Sequence, residues 1–142
     1  GIAVMDPDFG DRAPDQTFTP PALELDPHVA PLGIAFATAA QFPAQYRNQL
    51  FIAEHGSWNR SAAAGHTGHR ITIARGRADT LQAEVFIEGW LQDNKAWGRP
   101  ADLLFHPDGS LLIADDLANV IYRVTYDVSI ADAALQLPMG PS

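Results

Sequence analysis

The sequence predicts an all-β chain built from a repeated antiparallel unit, and three observations carry that prediction. Short runs rich in Val, Ile, Phe, Leu and Tyr are separated by turn residues, no segment shows a convincing amphipathic helical period, and the order of motifs recurs along the chain. Residues 1 to 31 carry Pro7, Pro14, Pro20, Pro21, Pro27 and Pro31 with acids between them, and read as an irregular lead-in crossing a surface. From Leu32 the texture changes to "LGIAFAT", "NQLFIAEHG", "HRITIARG", "AEVFIEGW", "ADLLFHPDGS", "LLIADD" and "NVIYRVTYD", each long enough for one strand. "FPAQYRN" offers at most one helical turn, and the reversal between two runs is set by Asp108-Gly109 in "HPDGS". Residues 128 to 142 form a C-terminal tail.

The repeat organises the region 32 to 127 into two units, 32 to 91 and 99 to 127. "LGIAF" parallels "ADLLF", "LFIAEH" parallels "LLIADD", and "HRITI" parallels "YRVTY", with "AEVFIEGW" as a further strand between the copies. Units of four short strands that cannot bury their apolar faces alone are the signature of β-propeller blades or a stacked array. Two blades cannot close a ring, so open faces and edges would remain unless a longer parent or another chain supplies the rest. A compact two-sheet sandwich is the plainer alternative.

At 142 residues the chain has the size of one domain, and its apolar fraction of 46% is that of a globular protein. A formal charge of -8 with nine Lys and Arg argues against a nucleic-acid surface and against anionic membranes. No apolar run reaches the roughly 18 to 20 residues of a spanning helix. With no cysteine, disulfides and thiolate metal sites are excluded.

Two clusters could carry chemistry. In "HGSWNR", His55, Trp58, Asn59 and Arg60 gather at a strand end; the indole could wall a pocket and the guanidinium could fork onto a carboxylate. The plainer reading is a long hairpin whose Trp covers the sheet edge and whose Arg60 pairs with Glu54. "NKAWGRPAD" repeats the inventory with Lys95, Trp97, Gly98, Arg99 and Asp102, and two guanidiniums with two indoles would suit a planar polycarboxylate. His28 reads as a loop histidine. "HTGH", with His66 and His69, lacks a third ligand for a metal, and Asp6, Asp8 and Asp11 lack calcium-loop spacing. Asp115 and Asp116 read as acids satisfying loop amides, with a calcium role left open.

"HVAPLGIAF", "FIAEHGSWNR", "WGRPADLLFHPDGSLLIADD" and "VIYRVTY" together resemble the C-terminal part of the soluble sugar dehydrogenases that use pyrroloquinoline quinone, the glucose/sorbosone dehydrogenase family and its sorbosone dehydrogenase-like branch in particular. The resemblance implies about two blades of a six-bladed β-propeller, incomplete as given, with the quinone and a bridging calcium on its axial face. It makes Arg99 a cofactor contact, places His55, Trp58 and Arg60 in a cofactor-facing loop, and puts His28 and Trp97 at the same mouth. The implied reaction is hydride transfer from a sugar to the quinone, with electrons passed to an acceptor. The histidine base and the calcium-holding carbonyls would lie in earlier blades, so no catalytic residue is expected in this segment and the chain alone should be inactive. Periplasmic or secreted location is implied too. The alternatives are a non-catalytic propeller used for binding or structure, and a lactonase-like hydrolase needing carboxylates around a metal.

Overall fold

The computed structural model describes residues 7–9, 19–38, 41–61, 63–77 and 80–127. The predicted tail at 128 to 142, most of the lead-in, and Asp6 and Asp11 lie outside them. Nine strands are present among the described residues: β1 (Pro31–Phe36), β2 (Leu50–Glu54), β3 (Arg70–Arg75), β4 (Gln82–Ile87), β5 (Leu91–Gln92), β6 (Lys95–Ala96), β7 (Pro100–Phe105), β8 (Leu111–Asp115) and β9 (Val120–Val124). Each of the seven apolar runs contains one of them, and the "FPAQYRN" turn is a 3₁₀ helix over Ala44–Tyr46.

The strands form three antiparallel sheets, β1-β2-β3-β4, β5-β6 and β7-β8-β9. The expectation of about two blades of a six-bladed β-propeller is therefore corrected: among the described residues a four-stranded, a two-stranded and a three-stranded sheet are present, with no closed or propeller arrangement. The physical reason is that a strand repeat specifies hairpins, whose contacts are local, whereas closure depends on partners beyond each unit.

At hairpin level the repeat is visible. Ile34 faces Ile52 and Ala35 faces Phe51 in the first unit, while Leu103 faces Ile113 and Leu104 faces Leu112 in the second. Both first strands are irregular after their proline, between Pro31 and Ile34 and between Pro100 and Asp102, as suits a residue that cannot donate to the ladder. The third strands differ from the sequence parallel. Ala74 lies opposite Leu50 and Val124 opposite Leu111, whereas matching "HRITI" to "YRVTY" sets Ile71 against Val124, three residues away. An odd slip exchanges the two faces of a strand, and residue type alone does not fix register.

β2 and β3 are covered on both faces: Phe51, Ala53, Ile71 and Ile73 are buried alongside Ile52, Thr72 and Ala74. Phe51 and Phe105 stack edge to face with centroids 5.1 Å apart, and Phe42 and Phe86 join them. Leu103, Leu111 and Ile113 come from the other sheet into the same core. Each such buried side chain contributes about 1.5–3 kcal/mol relative to exposure. β7 packs against β1 and β2, and a β-carbon on Gly33 would stand 2.5 Å from the Asp102 backbone, so only glycine permits that approach. Outward along β1, Leu32, Ile34 and Phe36 remain exposed.

Candidate functional site

Both clusters read from the sequence sit at strand ends where the two larger sheets meet. The chain enters β1 through Val29 and Ala30, whose carbonyls accept the N–H groups of Gly56 and His55 at 2.8 and 3.0 Å. The loop after β2 is thereby pinned to the lead into β1. Gly56 has φ +93, and a β-carbon there would lie 2.3 Å from the His69 ring, so a bare α-carbon rests on the imidazole.

Arg99 joins the two clusters. Its Nη2 donates to the carbonyls of Gly56 at 3.0 Å and of Ser57 at 2.7 Å, and its backbone N–H donates to Asp115 Oδ1 at 2.9 Å. Both hydrogens of Nη2 are thus used, which leaves Nε–H and Nη1–H₂. Either bidentate fork of a guanidinium requires Nη2, so Arg99 can reach an anion only through single bonds. Arg60 curls back on its own loop, donating from Nε to the Gly65 carbonyl at 2.6 Å and from Nη2 to that of Ala64 at 2.8 Å, with its end edge unspent. Glu54, fully buried, pairs with Arg70 at 2.8 Å and accepts the Thr72 hydroxyl at 3.0 Å, so its partner is Arg70 rather than Arg60.

His55 bonds Asp116 through Nε2 at 2.9 Å, and that hydrogen bond holds the Asp116 carboxyl below its ordinary value. Trp58 covers no edge: its side chain stands 78% exposed. His28, at φ 66 on an exposed turn, is tied nearby through Pro27, whose carbonyl accepts the Thr67 hydroxyl at 3.1 Å. Trp97 turns elsewhere. Its indole N–H donates to the Gly89 carbonyl at 2.7 Å and its ring packs beside Trp90 and Tyr122. The structure thus brings together His55, Gly56, Ser57, Arg99 and Asp116, with Trp58 one residue along, and sets Trp97 in a separate groove.

Sequence reasoning missed the buried polar floor. Ser57 Oγ accepts the Thr67 N–H at 3.1 Å and lies in a hydrogen bond with His66 Nδ1 at 2.9 Å. His69 is buried; its Nδ1 lies 3.4 Å from the Gly98 carbonyl, which can only accept, and its Nε2 is buried without a partner among the described residues. Burial lowers the His69 pKa, and Arg99 and His66 add to the lowering. Both imidazoles of "HTGH" thus have structural partners, and among the described residues no group of three His, Cys, Asp or Glu could hold a metal. Asp115 is a loop organiser: Oδ1 also accepts the N–H groups of Leu117 and Ala118, and Oδ2 accepts the Tyr122 hydroxyl at 3.2 Å. The sequence signal for that role was the turn-forming "ADDLAN" after a strand.

Residues 3–127 match the family model described as TrAA12-like. An uncharacterised protein of Borreliella burgdorferi is 45% identical over 121 residues, which is 84% of this chain and 32% of that protein. Among solved structures, the iodide structure of Trichoderma reesei Carbohydrate-Active Enzymes Family AA12 superposes with a TM-score of 0.58 at 21% identity, over 80% of this chain and 29% of that one. The chain spans about a third of the length of these relatives. The resemblance to the glucose/sorbosone dehydrogenase family is corrected by these matches, because the family model that fits is a different one. The residues that suggested it explain the error: Gly56, Gly98, Pro100 and Asp108-Gly109 serve close approaches and turns of the antiparallel unit, which are demands of geometry rather than of one family. Among the described residues no helix is long and apolar enough to cross a membrane.

Proposed function

We propose, from the premise that this chain belongs to the TrAA12-like family, that it is part of a carbohydrate-oxidising enzyme and supplies one wall of a site for pyrroloquinoline quinone. The carbohydrate connection belongs to the fungal AA12 neighbour and is carried to this chain as part of the proposal. The observation that carries the cofactor reading is the junction itself. Arg99 and His55 lie in one place with two N–H sites of Arg99 unspent, and the exposed Trp58 ring stands one residue from the carbonyl that Arg99 grips.

That donor set fits a planar polyanion. Arg99 would hold one carboxylate by a single charge-assisted bond, Arg60 could fork onto another through its end edge, and Trp58 offers a face for stacking. When bound, the quinone supplies a two-electron acceptor for the sugar's hydride. His55, oriented by Asp116, holds a proton at the rim, and the buried Ser57 and His69, with the half-buried His66, fix the loop. Calcium does not fit these residues: the converging carbonyls of Gly56 and Ser57 are capped by Arg99, and among the described residues no group of three or more His, Cys, Asp or Glu could hold a metal. The lactonase-like alternative likewise lacks its metal carboxylates among the described residues.

The test is a titration of the longer parent protein with pyrroloquinoline quinone, followed by tryptophan quenching. Trp58→Ala removes an exposed ring, so folding is untouched, and it should abolish most of the quench; Arg60→Ala should weaken affinity about tenfold or more, the loss of a charge-assisted fork. Unchanged quenching and affinity in both variants would sink the cofactor reading.

A further inference from the structure

The two units meet through unlike faces, and that asymmetry leaves each of them with one apolar surface uncovered. In the first sheet Phe51, Ala53, Ile71 and Ile73 point into the shared core, while Ile34 and Phe36, opposite Ile52 and Leu50, point the other way. In the second sheet the choice is reversed. Leu103, Phe105, Leu111 and Ile113 enter the core, and in the repeat these are the counterparts of Ile34, Phe36, Leu50 and Ile52. One face of the unit is thus packed on the opposite face of its next copy, a head-to-tail contact.

Both leftover surfaces are apolar. Leu32, Ile34 and Phe36 form a strip along β1, each more than half exposed. On the second sheet Leu104 of β7 and Ile121 of β9 are exposed too, Ile121 at 71%, with Leu112 and Ala114 of β8 half-buried between them. By register these four are the counterparts of Ala35, Phe51, Ala53 and Ile71, which line the core on the first sheet. Arg123, on the same face, is turned down onto Asp108 and Ser110. A hollow of about 390 Å³ beside Ala114 and Ile121 is open to side chains from outside. Contiguous exposed apolar surface of this kind marks an association site.

We propose that a second copy of this chain docks here, with its β1 strip on the face of Leu104 and Ile121. The contact repeats between chains the one that already joins the two units within a chain. Phe105 stacks on Phe51 there, with centroids 5.1 Å apart, and between copies Phe36 lies over Leu112 in the same way. Complementarity selects the occupant: the surface that fits this face is the other face of the unit, and the same chain exposes it. A heterologous contact leaves one free face of each kind at its ends, so association continues past two copies. Neither surface includes Arg99, Arg60 or Trp58, so this inference does not rest on the cofactor reading.

Analytical sedimentation of the full chain from about 1 to about 200 μM tests this, a range that covers micromolar association. Its mass should rise with concentration and pass that of two chains. Ile34→Lys and Ile121→Lys each put a charge on one of the two surfaces and replace no buried residue. Each alone should weaken association about tenfold or more, since a lysine would be buried without a partner. Mixed in equal amounts, the two variants should recover a dimer and nothing larger, because each keeps the surface that the other has lost. Leu32→Lys and Leu104→Lys repeat the two changes at neighbouring exposed positions, and replace any variant whose circular dichroism departs from that of the unchanged chain. A chain that stays monomeric over the whole range, a mixture that stays monomeric, or association unaltered by both changes would overturn the proposal. So would association that appears only once residues 128 to 142 are removed, which would make that segment the occupant.

Discussion

His69 concentrates the consequences at the residue scale. It is buried, neutral and protonated on Nδ1, with φ 57 in the left-handed region. Its folded pKa lies below the ordinary 6.5, so between those two values the unfolded chain binds a proton that the folded chain does not. Stability is therefore fully present above about pH 6.5 and falls as pH drops through the lowered value. Urea midpoints measured from pH 7.5 downward should show this decline, and His69→Asn should flatten it, since asparagine accepts left-handed φ and keeps a donor for Gly98. Glu54 gives a second residue-scale outcome. Fully buried and paired with Arg70 and Thr72, it would be left as an uncompensated charge in Arg70→Met, at a cost of about 3–5 kcal/mol by chemical denaturation. A loss below about 1 kcal/mol would show that water reaches Glu54. Neither role was legible in the sequence: Arg60 stands six residues from Glu54 and seemed its natural partner, but register sets Glu54 directly opposite Arg70.

Gly33 decides the relation between elements. Its missing side chain lets β1 lie on β7, where a β-carbon would meet Asp102 Cα at 2.5 Å and the Ala101 carbonyl at 2.9 Å. Both obstacles are backbone and cannot rotate away. Gly33→Ala should therefore separate the strands and lower stability by about 1–3 kcal/mol, the usual cost of overpacking, with amide exchange accelerated in β1 and β7 while β3 and β4 stay protected. Uniform acceleration would mean that the two sheets open as one unit. The positions of the strands were readable from apolar runs and turn residues. Their face was not always so: the third strand of the second unit is displaced by three residues because the short turn Asp116–Asn119, organised by Asp115, replaces the long excursion between β2 and β3.

For the whole molecule, the shared core matters most. Phe51 from one unit and Phe105 from the other stack edge to face, and Leu103, Leu111 and Ile113 complete a cluster with Ile71 and Ile73. The repeat suggests two separable units, but their apolar faces are one another's cover. A fragment of residues 19–97 would expose Phe42, Phe51 and Phe86 together, so it should lose cooperative thermal unfolding while the full chain keeps it. A sharp transition in the fragment would show that the first unit holds its own core. The hairpins were legible, the core they share was inferable only from their individual insufficiency, and the higher arrangement was misread, since closure is not a property of any one hairpin.

The sequence by itself determined the all-β class, the strand positions and the turn at Asp108-Gly109, because strand propensity, turn chemistry and the absence of a helical period act over a few residues. It also placed Arg99 before one strand and the "HGSWNR" loop after another. Only the tertiary structure decided what those residues do. It turned Nη2 of Arg99 onto two carbonyls, set Trp97 beside Trp90 and Tyr122 instead of beside Arg99, and buried His69 under Gly56. These are contacts between residues tens of positions apart, fixed by register and packing, and no local pattern in the chain encodes which donors are spent and which remain open.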